Sequence, residues 1–398
     1  MRASSVPGIL RGATLLPASL LLLAQRMPHL TSLQCGLRTD EHASNACFPP
    51  RLRSLSVELG APGDPESPDV SPGEDLYEGD EVQWNECPLL TARGINAALR
   101  GIADVQSLTR LEVSLCAPEP VDAQTMWGAV SLAPLARLRQ LHSLALDLHE
   151  DEDGFAALAG GFSFLREMGW LRELDISHFP REALAAVLAA PCPFTQLCRL
   201  SVPDGCDVAH LSLLSSLPQL TALEDKRCPC ASFDWLAPLT LLADINIRLW
   251  KEWSPVVPVE RAHALLRALP LCRSLTRLSL CNLGGVVDAQ LGQALLGLPR
   301  LRAFTLEFTP LGGLAFLTQT PITAQLESLT LFNFLGDLSP DELRHVESLR
   351  ALRELTIIDR AFIPRLTAEQ RARLTPPALH MPQLQRSLLA PEWPDSDA

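Results

Sequence analysis

Tyrosine occurs once in this chain, at Tyr77, and aromatic residues make up only 5% of its 398 positions. A core of stacked rings is excluded, so whatever the chain buries must be aliphatic. Lysine is nearly as scarce, with Lys226 and Lys251 the only two among 33 basic residues. A basic excess is missing altogether: the formal net charge is −13. Contacts to a phosphate backbone need a basic face, so no nucleic-acid partner is expected. The chain has no Asn-x-Ser/Thr acceptor and no apolar run long and unbroken enough to span a bilayer. It also lacks a glycine-rich phosphate loop, a nucleophile elbow and a metal-binding His pair; His29, His142, His149, His178, His210, His263 and His345 are scattered singly. No catalytic residue, no cofactor and no metal site is therefore expected, and the chain does not read as an enzyme.

What is abundant is leucine, and it is periodic. The hexad LxxLxL, or a close variant, recurs as Leu30/Leu33, Leu52/Leu55/Val57, Leu108/Leu111/Val113, Leu141/Leu144/Leu146 and Leu171/Leu174/Ile176. It continues as Leu197/Leu200/Val202, Leu220/Leu223, Leu242/Ile245/Ile247, Leu275/Leu278/Leu280, Leu301/Phe304/Leu306, Leu326/Leu329/Leu331 and Leu352/Leu355/Ile357, with Leu384 opening a degenerate last unit. Most first leucines stand between 22 and 33 residues apart, as from Leu30 to Leu52 and from Leu108 to Leu141. That spacing leaves room for one short strand, a turn and a returning helix. The two-residue period of a strand points the last two leucines of each hexad inward and the residue between them outward. Between hexads, PVERAHALLRALP, VDAQLGQALLGLP and REALAAVLAAP carry apolar residues three and four apart and end on proline, as helices do. Ser339, Pro340 and Glu342 read as a capping box, and Thr367 to Gln370 repeats it.

A β-then-α unit stacked a dozen times predicts an α/β solenoid, with parallel strands on a concave face and helices on a convex one. The pattern resembles leucine-rich-repeat proteins of the ribonuclease-inhibitor-like type, from about residue 15 to 389. Those families place Asn or Cys eight positions after the first leucine; Cys116 and Cys228 match, whereas His149, Phe179 and Thr309 depart. F-box proteins with cysteine-containing repeats look similar, but the stretch ahead of Leu30 is too short for an F-box. The expected organisation is one solenoid over 1–389 with about 12–13 irregular repeats, an acidic Pro/Gly-rich insertion at about 59–88, and a polar tail at 390–398. The resemblance implies a horseshoe.

The outward column between the hexad leucines reads Gln34, Ser56, Glu112, Ala145, Asp175, Ser201, Glu224, Asn246, Ser279, Thr305, Thr330 and Thr356. Arg110, Asp147, Glu173, Arg199, Lys226, Asp244, Arg248 and Arg277 flank it. From Arg110 to Arg277 this is a mixed charged band suited to a partner of complementary charge, so the candidate site is the concave face. Cys192, Cys198, Cys206, Cys228 and Cys230 contain no paired C-x2-C unit and are read as buried or turn cysteines, not as a zinc site. Trp250 and Trp253 are read as packing between repeats. The eleven cysteines follow the repeats and not a disulfide framework, which fits a reducing compartment. The apolar run at 15–24 is read as part of the first repeat, not as a signal peptide. Together these predict a cytoplasmic, possible also nuclear, monomeric scaffold that binds another protein without chemistry and without a membrane. The alternatives are a substrate-recognition subunit, or fragment, of a ubiquitin ligase and a secreted or surface recognition domain.

Overall fold

The computed structural model describes residues 9–14, 24–37, 43, 47–60, 90–116, 128–149, 161–249, 258–284, 287–318, 321–332 and 342–358. The chain divides into two compact units, Met1–Leu197 and Cys198–Ala398. The first carries strands β1 (Ile9–Thr14), β2 (Ser32–Leu37), β3 (Ser54–Leu59), β4 (Arg110–Cys116), β5 (Ser143–His149) and β6 (Glu173–Asp175). The second carries β7 (Arg199–Val202), β8 (Ala222–Cys228), β9 (Asp244–Leu249), β10 (Arg277–Cys281), β11 (Ala303–Glu307), β12 (Ser328–Phe332) and β13 (Glu354–Ile358). Within each unit every strand pairs in parallel with the next in the chain. β1 precedes the first hexad and carries no copy of it.

The hexads set the register. In the first unit Leu33, Leu55, Leu111 and Leu144 align and Leu174 follows, all buried. In the second, Leu200, Leu223, Ile245, Leu278, Phe304, Leu329 and Leu355 form the same column. A one-residue slip would turn every one of these side chains to the other face, which is why alternation alone pins the pairing. The strand entrances are tied as well. The amides of Ala243, Thr276, Arg302, Glu327 and Arg353 each donate to a carbonyl of the preceding repeat, at Thr221, Ala243, Thr276, Arg302 and Glu327 in turn.

Parallel neighbours need a crossover, and here its form varies from repeat to repeat. The helices among the described residues include α1 (Ala92–Ala103), α2 (Ser163–Arg166), α3 (Glu182–Leu188), α4 (Val208–Ser212), α5 (Val259–Ala268), α6 (Asp288–Leu296) and α7 (Leu343–Glu347). The expected helices in REALAAVLAAP, PVERAHALLRALP and VDAQLGQALLGLP are α3, α5 and α6; their buried residues include Leu184, Leu265 and Leu291. The long repeat from Leu242 to Leu275 holds the ten-residue α5, whereas the short one from Leu220 to Leu242 fits only a 3-10 turn, Asp234–Leu236. Strand-then-helix therefore holds in some repeats, and in others the described crossover is a tighter 3-10 turn. At the end of α6 the packing is so close that a Cβ on Gly297 would stand 2.5 Å from the Cβ of Pro270.

Two turn positions named from sequence have described partners. Glu342 Oε2 accepts from the amide of Leu314 in the preceding repeat at 2.8 Å and stands 3.6 Å from Nε2 of His345. Thr309 departs from the Asn/Cys preference yet does similar work. It is fully buried, its hydroxyl accepts from the Leu283 amide at 3.2 Å, and it donates to the Glu307 carbonyl at 2.9 Å. Phe179 instead fills the core, edge-on against Phe162 at 5.0 Å. The acidic insertion from residue 61 on, Ser339, Thr367 to Gln370, Trp250, Trp253 and the 390–398 tail lie outside the described residues. No helix among the described residues is long and apolar enough to cross a membrane.

Candidate functional site

The helix-free side of each sheet is the candidate site, and the register places every proposed residue there. In the first unit Ser56, Glu112, Ala145 and Asp175 line up across β3 to β6. Arg110 is opposite Ser54 and Ser143, Glu173 opposite Ser143, and Asp147 opposite Ser114. Arg110 and Glu112 are exposed, whereas Asp147, Glu173 and Asp175 are half-buried. Asp147 Oδ1 stands 3.7 Å from Nδ1 of His178. Asp175 accepts the amide of Ser177 at 3.0 Å, closing the turn that ends β6. With Glu58 also exposed on β3, this face is dominated by carboxylates.

In the second unit the column is Ser201, Glu224, Asn246, Ser279, Thr305, Thr330 and Thr356. Its charges are paired with one another. Glu224 is held from both sides: Ser201 Oγ donates to its Oε2 at 3.2 Å and Asn246 Nδ2 to its Oε1 at 3.1 Å. Arg277 meets Asp244 at 3.0 Å on the adjacent strand. Arg248 reaches past Cys281 on β10 to Glu307 on β11, at 3.5 Å. Arg199 is exposed at the head of β7. Ser201 differs from the other column residues in being buried, so its hydroxyl depends on Glu224.

Lys226 lies at an irregularity. Along β8 and β9, Asp225 pairs with Ile247 and Cys228 with Leu249, so Lys226 and Arg227 together oppose Arg248, a β-bulge. The bulge begins at Asp225, which occupies the inward column between Val202 and Ile247 and is 1% exposed. The third position of the Leu220/Leu223 hexad carries an acid where the others carry an aliphatic residue or, at Cys35, a thiol, and that substitution is the signal the sequence offers. Burial pushes the Asp225 carboxyl up to about 7, against the weaker pull of the Cys228 thiol and the Arg227 amide.

The cysteines named above are distributed between core and turns. Cys206, Cys228 and Cys230 are buried, and the Cys230 thiol donates to the Cys206 carbonyl at 3.4 Å. The Cys228 thiol is pushed well up by its hydrogen bond with Cys230 and by burial. Among the described residues no three His, Cys, Asp or Glu side chains are grouped so as to hold a metal ion.

No protein-family model and no curated protein matches the chain. Solved structures do. It is similar to an internalin (inlF) from Listeria monocytogenes, at 14% identity and a TM-score of 0.36, over 83% of this chain and 88% of that one. It is similar to the mouse RP105/MD-1 complex, at 13% identity and TM-score 0.34, over 83% of this chain and 59% of that one. It is also similar to the TLR13–ssRNA13 complex, at 14% identity and TM-score 0.37, over 84% and 53%. The chain is a leucine-rich-repeat solenoid of α/β class, by its strand order and register. The cytoplasmic placement expected from sequence is withdrawn, and no compartment is assigned in its place.

Proposed function

We propose that this chain is a non-enzymatic recognition module that holds a protein partner against the helix-free faces of its two sheets. The observation that carries the reading is the contrast along the described strands: the inward columns are mostly aliphatic and buried, while the alternate column, Ser201 apart, is half-exposed or exposed and mostly polar. Such a surface is already shaped by the fold, so a partner meets it with little ordering cost. Its contacts would be Arg110, Glu112, Asp147, Glu173 and Asp175 in the first unit. In the second they would be Arg199, Ser201, Glu224, Lys226, Asp244, Asn246, Arg248, Arg277, Ser279, Thr305, Thr330 and Thr356. Complementary charge would steer and select the partner more than it would tighten binding.

Asp175 and Glu224 also hold their own sheets together, so exposed charges make the cleaner test. The intact chain and an Arg110→Glu, Glu112→Arg, Arg277→Glu variant serve as baits in lysate of the source cells, with Glu260→Lys on α5 as a control. A protein kept by the control and lost by the triple variant, at unchanged melting temperature, is the expected result. Equal capture by all three baits would remove the face from the proposal.

A further inference from the structure

The acid in the inward column of β8 has no structural counterpart in the neighbouring repeats: Val202 and Ile247 flank Asp225, and Leu280, Leu306, Leu331 and Ile357 continue the row. Its Oδ1 accepts the Arg227 amide at 3.2 Å, which closes the bulge. Its Oδ2 is buried without a hydrogen bond of ordinary length. The nearest cation, the Arg227 guanidinium, is engaged by another acid. Asp204, in the turn after β7, faces it but is paired with Arg227 at 3.1 Å, and the repulsion between the two carboxylates opposes ionisation of Asp225. Cys228 and Cys230 follow it on its own repeat, Cys206 takes the Cys230 thiol, and β9 contributes the apolar Ile247 and Leu249. A carboxylate here would be a buried charge without a counter-ion, and a neutral acid would not.

We propose that Asp225 is a proton-operated latch in the second unit: protonated, it holds the β8 bulge shut, and on losing its proton it loosens the segment that carries Lys226 and Arg227. The latch lies directly under the candidate face, since Glu224 and Lys226 are its chain neighbours. It does not depend on that face binding a protein. The sign follows from linkage. The native state holds the proton more tightly than the opened state, so the latch is firm in acid. It weakens as pH rises from about 4, the ordinary carboxyl value, to about 7, and stays constant above that.

The test is amide hydrogen exchange of residues 226–228 in the intact chain at several pH values, expressed as protection factors so that intrinsic chemistry cancels. Protection is expected to fall up to about tenfold per pH unit between 5 and 7 and to level off above, and to lose that slope in Asp225→Asn. Should that variant fold poorly, Asp225→Val restores the aliphatic column and should also be pH-independent. Carbon-13 NMR of the Asp225 carboxyl in the unmodified protein provides an independent reading. A titration midpoint near 4, flat protection, or the same slope in both variants would overturn the latch.

Discussion

The helix-free faces of the two units are built on the same register and arrange their charges differently. In the first, Glu58, Glu112, Asp147, Glu173 and Asp175 share the face with Arg110. In the second, Arg277 answers Asp244, Arg248 answers Glu307, and Glu224 is clasped by Ser201 and Asn246. Where opposite charges occupy neighbouring strands, the sheet neutralises them within itself and the face is locally tied. In the first unit the ties are more local: Asp147 stands 3.7 Å from His178, and Asp175 accepts the amide of Ser177 two residues on. The same register can thus tie charges across neighbouring strands or within a turn, and the choice lies in the alternate residues.

The largest effects should not distinguish the units, because both inward columns are aliphatic. Leu111→Ala and Phe304→Ala each empty a buried site and should cost about 2–5 kcal/mol in chemical denaturation. A loss confined to one would mean that the cores differ too. Next comes the one place where they do. Asp225→Asn should leave stability unchanged near pH 4 and raise it at pH 8 by about 2–4 kcal/mol, since the wild-type carboxyl must then be charged while buried. Urea titrations at the two pH values check this, and no carboxyl in the described part of the first unit's inward column should behave so.

Smaller changes examine the faces themselves. Glu224→Ala strands the buried Ser201 hydroxyl and should cost about 1–2 kcal/mol, whereas Glu112→Ala should stay within about 0.5 kcal/mol. Equal costs would break the distinction between a tied face and an untied one. Smallest of all is Arg277→Ala. Its guanidinium is 65% exposed, so its pair with Asp244 should contribute no more than about 0.5 kcal/mol by double-mutant cycle.

Much of this was legible beforehand. Alternation in the hexads specified which leucines face inward, and the structure aligns them as expected. The proposed face residues all fall on outward register positions or, for Lys226, in the bulge. Less legible was anything that depends on what a side chain does and not on what it is. Thr309 looked like a departure from the turn preference, yet a hydroxyl that donates and accepts serves the same backbone groups. The tie from the Leu314 amide to Glu342 was equally hidden, because it joins neighbouring repeats. Asp225 was visible as an irregular hexad; its burial was not, because a bulge can turn a residue either way.

The sequence by itself determined the repeat, the strand register and the split between buried and exposed columns, since each follows from a period of two within a period of some two dozen residues. The tertiary structure alone decided which charges meet. Arg248 and Glu307 are 59 positions apart in the chain and come together only because stacking brings β9 and β11 to either side of β10. Coulomb interactions depend on distance in space, and in a stacked array that distance is set by the neighbouring strands, not by the sequence between them.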